Sequence, residues 1–318
     1  MTKFVGRRGA VAIAKESSRG VAGATKFWLP FAKLSFDDKT VTVRESQGLG
    51  KIADGDSAYV TQKNAEGDIE AEVYDKALGL LLTSLIGAAP SSSGGGPYTH
   101  TFTLSQSNQH QSLSVFFQDP DSTKLYANAV ADSWKMTVAE SAIVEHVWSF
   151  KSRSSDDFST LTPDYTSLGS KFLHQHLSFK LATTVGGLSG ASKIALKNLE
   201  LNVNANTMFD NALGTVEPQD VLNQQFSVTG KFTLNKNDDT YRALMNNLTY
   251  NAMEIKLTNG TTSILTIQLP RVHFANWEQD RTLDKIVGQT IEFTANYDAA
   301  NAADIISTLT LVNQQSSY

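Results

Sequence analysis

Three acids, Asp68, Glu70 and Glu72, alternate with Ile69, Ala71 and Val73. In a strand this period of two sets the carboxylates in a row along one face. Two such carboxylates could be imagined as the acid/base pair of a glycosidase. Neighbours on one strand face, however, stand too parallel to flank a substrate bond from its two sides. A row of like charges repels itself and belongs in water. Two roles stay open for it: a plain solvated strand face, or an acidic lining that repels a passing polyanion.

Other candidate chemistry is thinner. His174 and His176 are the only histidines close in sequence. At i, i+2 on a strand they would share a face and could chelate a metal, but no third ligand is near. Asp119 and Asp121 flank Pro120 and read as turn residues. No Gly-x-Ser-x-Gly elbow occurs, and no Gly-Lys-Ser/Thr follows the run Gly94-Gly95-Gly96. The absence of cysteine removes disulfides, thiolate metal sites and thiol nucleophiles together. Trp134, Trp148 and Trp277 fall at strand positions and read as core. The expectation is no catalytic residue, no cofactor-binding residue and no metal ligand, hence no enzyme.

The elements that carry these residues are mainly β. Strands are expected over 27–36, 41–43 and 68–73, then 99–104, 112–117, 129–138 and 143–150. In the second half they fall over 177–181, 192–203, 226–234, 252–257, 263–269, 271–277 and 286–295, with a closing segment at 305–311. A helix is expected over 76–86, with Asp75 in its first turn and Gly87 past its end. A shorter helical pattern follows Asp238-Asp239. Residues 1–26 lack periodicity and read as an extended arm. Residues 47–58, with Gly48, Gly50 and Gly55, and the Pro90 to Pro97 run read as loops.

The 318 residues suit two domains, and the polar stretch 152–167 with Pro163 supplies a boundary. The division is an arm at 1–26 and domains at 27–160 and 161–318. The net charge of −5 is spread along the chain, which argues against tight nucleic-acid binding. The N-terminus has no apolar core of a secretory signal, and no stretch approaches a membrane span.

A repeat supports the division. Trp134, Ile143, Val144 and Phe150 match Trp277, Ile286, Val287 and Phe293 at one constant spacing without a gap. Upstream, both halves run strand, Asp, helix: 69–73, Asp75 and 77–86 in the first, 226–234, Asp238 and 241–244 in the second.

The chain resembles the tail tube, or major tail, proteins of long-tailed bacteriophages. The resemblance is carried by Ala22-Gly23-Ala24-Thr25 leading into Phe27-Trp28-Leu29-Pro30, and by Arg44-Glu45-Ser46-Gln47-Gly48-Leu49-Gly50. It continues through Gly67-Asp68-Ile69-Glu70-Ala71-Glu72 with Leu78-Gly79-Leu80-Leu81 and Leu85-Ile86-Gly87. It closes on Phe293-Thr294-Ala295-Asn296-Tyr297-Asp298 and Leu311-Val312-Asn313.

The resemblance implies two tandem β-sandwich or barrel domains, each with a short flanking α-helix. Copies would share sheets edge to edge, three two-domain chains completing a ring of six domains. Stacked rings would form a tube that conducts DNA into the host. It implies partners of three kinds besides the chain itself: tape measure, tail terminator and tail-tip proteins. The location implied is the virion tail, after assembly in the host cytoplasm. Asp68, Glu70 and Glu72 become candidate lumen residues. Gln47, Gly48, Gly50, Asp54 and Asp56, with the arm, become candidates for contacts between rings. A virion decoration protein, or a β-sandwich that binds carbohydrate or another surface, is the alternative.

Overall fold

A computed structural model describes residues 3–52, 55 and 57–318. The described residues are mainly antiparallel strand, with two α-helices, α1 at Asp75–Ile86 and α2 at Thr240–Asn246.

The strand pairings fall into two series with the same order of neighbours. In the first, Ala10–Lys15 pairs with Leu113–Gln118, which pairs with the front of Thr123–Ala139. Glu145–Ser152 follows, then Ala58–Glu72, whose outer edge carries Phe31–Leu34 and Asp37–Arg44. In the second, Leu177–Ala182 pairs with Asn251–Asn259, which pairs with Ser263–Asp280. Gly288–Ala295, Ser227–Asn235 and Asn198–Asn204 then follow.

Even the irregularities agree. The register slips once beside Phe150 and once beside Phe293, at matching points of the two series. A second pair of slips lies between Leu113 and Val115 and between Asn251 and Met253. Bulges of this kind bend a strand and sharpen its twist, so both sheets curl in the same places.

The two series are joined into one sheet. Asn198–Asn204 pairs on its other side with the rear of Thr123–Ala139, from Asn198 opposite Ala139 to Asn204 opposite Ser133. Thr308–Asn313 adds a second tie, pairing with both Ser263–Asp280 and Tyr98–Phe102.

The helix α1 lies where expected. Every residue in it except Lys76 is buried, and its run of leucines faces the sheets all round. Each such side chain removed from water contributes roughly 1.5–3 kcal/mol before entropy is counted. Gly87 ends it with a left-handed φ of 85°. A Cβ there would strike the ring of His110.

Three local expectations need correction. The segment read as an arm holds a strand, Ala10–Lys15, with Ala10 to Ala14 all buried. Val11 and Ile13 enter the main core, while Ala12 and Ala14 enter a second cluster with Phe116 and Leu125. A strand buried on both faces is apolar throughout, so it shows no alternation to read. His174 and His176 lie in a 3-10 turn, not a strand, and His176 Nδ1 accepts the Leu173 N–H at 3.1 Å. Within the Pro90 to Pro97 loop, Ser91–Ser93 pairs with Tyr98–Phe102 as a small hairpin.

Candidate functional site

Following the register from strand to strand assembles one surface. Asp68 lies opposite Ser149, Ser149 opposite Ser133, Ser133 opposite Asn204, and Asn204 opposite Ser227. Two rows along, Glu72 meets Glu145, then Thr137, Glu200, Lys231 and Glu292 in turn. Residues opposite one another point to the same side, so these rows form a single polar wall across both series.

The reverse side is dry. Ile69, Trp148, Trp134, Val203 and Val228 lie opposite one another in sequence across the strands and all are buried. Trp134 and Trp148 stack with ring centroids 5.4 Å apart. These aromatics are core, as their strand positions suggested.

The wall is not uniformly acidic. Each of the three acids singled out in the sequence has a partner. Ser149 Oγ donates to Asp68 at 2.5 Å. Lys33 Nζ lies 2.8 Å from Glu70, and Lys171 Nζ lies 2.5 Å from Glu72. Those contacts hold the Lys33 and Lys171 ammonium groups above the usual lysine range.

Further along, Glu200 receives Lys135 at 3.1 Å and Lys231 at 3.6 Å. Burial opposes its charge. The hydrogen bonds from Lys135 and Asn202, with the charge of both lysines, outweigh that and keep the carboxyl below its ordinary range. Sequence reasoning missed Lys135, Glu200, Lys231 and Glu292. The alternation of Asn198 to Asn204 displays Glu200, but nothing local says which strand lies beside it.

The second surface is a hairpin. Asp37–Arg44 pairs with the front of Ala58–Glu72, and all of Asp37–Arg44 is exposed. Val41, Val43, Tyr59 and Val60 stand in solvent on it. Near its tip, Glu45 N–H donates to the Ser57 carbonyl at 2.9 Å. Gln47, Gly48 and Gly50 are exposed there, as is Ile52. Asp54 and Asp56, expected in the same loop, lie outside the described residues. Apolar side chains clustered on a projecting element mark a contact surface.

Among the described residues no three His, Asp or Glu side chains gather as a metal site. Asp119 N–H donates to the Ser122 carbonyl at 2.8 Å, the turn its sequence suggested. No helix among the described residues is long and apolar enough to cross a membrane.

A wide antiparallel sheet with one dry face, one polar wall and an exposed hairpin that carries apolar side chains defines a mainly β protein. The chain belongs to the phage tail tube protein family, whose model matches residues 6–295. No curated protein matches it. It is a structural component of the bacteriophage tail.

Proposed function

We propose that copies of this chain close into rings, that the rings stack into a tube, and that DNA travels through the lumen during ejection. The chain is read as a tandem of two tail tube domains, 27–160 and 161–318, so three chains would make one pseudo-hexameric ring. The protein acts by assembly and carries out no catalysis.

One observation carries this reading. The outer strand of the second series, Asn198–Asn204, is already zipped onto the first series along seven residue pairs. An open sheet edge that pairs in this way is what natural monomers avoid. Repeated head to tail around an axis, such a contact closes a ring.

The polar wall supplies the lumen. Its acids and their lysine partners hold few free positive charges, so phosphates find little to neutralise and DNA slides without adhering. The exposed hairpin, with Gln47, Gly48 and Gly50 near its tip, contacts the next ring. Tube ends meet tail terminator and tail-tip proteins, and the lumen holds a tape measure protein during assembly in the host cytoplasm.

Negative-stain electron microscopy of concentrated purified protein tests this. Hollow tubes or stacked rings with pseudo-sixfold symmetry are expected. Persistent monomers that melt higher on adding a carbohydrate would favour the surface-binding alternative.

A further inference from the structure

The start of the chain has a counterpart inside it. Lys3-Phe4-Val5, the 3-10 turn Gly6–Arg8 and the strand Ala10–Lys15 run parallel to Lys171-Phe172-Leu173, the 3-10 turn His174–His176 and the strand Leu177–Ala182. The pairing partners agree too. Ala10 lies opposite Gln118 and Ser178 opposite Lys256, at matching points of the two series.

The inner copy is seated. Phe172 is 0% exposed and belongs to the main core. Its N–H donates to the Val73 carbonyl at 3.4 Å, and its carbonyl accepts the Val144 N–H at 3.0 Å. Leu173 forms a β-bridge with Ile143. The second series thus inserts a Lys-Phe-Leu segment into the first, beside the strand pairing of Asn198–Asn204.

The outer copy is not seated. Phe4 is 48% exposed and Val5 is 66% exposed. The second series carries a matching receptor. Val73 N–H donates to the Val144 carbonyl at 2.9 Å, and Lys236 N–H donates to the Val287 carbonyl at the same 2.9 Å. Yet Val144 is 0% exposed, whereas its counterpart Val287 is 36% exposed and the adjoining Ile286 is 77% exposed. A cavity of about 500 Å³ opens beside this pair, lined by Leu196, Leu234, Asn237, Asp238, Tyr241 and Gln289.

From this we infer that Lys3-Phe4-Val5 of one copy seats on the second half of the next copy, as Lys171-Phe172-Leu173 seats on the first half within the chain. Phe4 enters the cavity, its N–H donating to the Lys236 carbonyl and its carbonyl accepting the Val287 N–H. Val5 bridges to Ile286. By the same correspondence, residues 33–39 pair with 276–282 of the neighbour, as 198–204 pair with 133–139. The contact is head to tail, so it propagates around a ring and leaves no copy unsatisfied when the ring closes. This inference rests on the ring reading above and names the surface that closes it.

A cysteine pair tests it, because the native chain has none to interfere. Antiparallel bridge partners sit at about the Cα separation a disulfide needs. In the Val5→Cys, Ile286→Cys double variant, oxidised assemblies should run as covalent multiples on a non-reducing gel. The Leu173→Cys, Ile143→Cys variant should give a disulfide within one chain only. Rings that form without a chain-to-chain disulfide overturn this contact and leave the ring reading standing. A disulfide within single Val5→Cys, Ile286→Cys chains also overturns it. Protein that neither assembles nor cross-links overturns both. Independently, Phe4→Ala should melt like the native monomer and need about tenfold more protein to assemble, the loss of a buried aromatic anchor at an interface. Unchanged assembly of Phe4→Ala refutes the seat.

Discussion

Gly67 and Gly230 do the same job in the two strand series. A Cβ on Gly67 would lie 2.3 Å from the Ser35 carbonyl oxygen, and one on Gly230 would lie 2.4 Å from that of Glu200. In each case the missing side chain lets an outer strand cross close over its neighbour, with Phe36 or Leu201 dipping into the core just beyond.

Gly230→Ala is therefore expected to destabilise the chain although alanine has the better intrinsic propensity for regular structure. The obstacle is backbone on one side and the Phe293 ring on the other, so neither yields cheaply. Overpacking of this kind costs about 1–3 kcal/mol. Chemical denaturation of the monomer measures it, with Gly288→Ala, where the nearest atoms lie 3.9 Å away, as the mild comparison.

Glu16 is buried near the start of the chain and gathers four donors. Ser112 Oγ lies 2.7 Å away and Ser114 Oγ 3.0 Å, while the Gly20 and Asn128 N–H groups lie at 2.8 and 2.9 Å. Glu16→Ala strands these donors away from water, at a cost of roughly 1–3 kcal/mol or more. A lowered melting temperature together with faster proteolysis in residues 16–25 is expected. A melt indistinguishable from the native one would refute the network's role.

Acid should weaken the fold. His146 is buried, and its Nδ1 accepts the Trp148 indole N–H at 3.0 Å. Burial pushes the imidazole down to about 3. An unfolded histidine titrates near 6.5, so between those values the unfolded chain binds a proton that the native chain refuses. Stability from this group is full above pH 6.5 and falls as pH drops toward 3. Between pH 7 and pH 5 the loss is about 2 kcal/mol. Burial also lowers His110, which acts in the same direction. Denaturant unfolding at both pH values checks this, and His146→Gln should flatten the slope.

The polar wall should repel DNA only while its charge balance holds. Glu292 is exposed on that wall, and Asn202 lies within it. Glu292→Lys with Asn202→Lys adds repeated positive charge around each ring. Tubes are expected to form and to retain DNA at low salt, with binding falling steeply as salt rises. Tubes that bind no DNA at low salt would place the wall outside the lumen.

Much of this protein is written locally in its chain. The alternation of Asp68 to Val73 and of Asn198 to Asn204 announces strands with one wet face, because side chains alternate at every residue. The acid-Leu-Gly pattern of residues 75–87 announces α1, and the spacing from Trp134 to Phe150 recurs from Trp277 to Phe293. Other features needed the folded chain. Ala10–Lys15 is buried on both faces and so carries no period. The Lys-Phe segments at 3–5 and 171–173 look alike, yet one is buried and the other exposed. Which lysine meets which acid, and which strand lies beside Asn198–Asn204, follow from pairings between residues far apart in the chain. Local spacing fixes the face on which a side chain stands. Only tertiary closure decides what stands opposite, because that choice depends on how the whole sheet curls and buries its dry side.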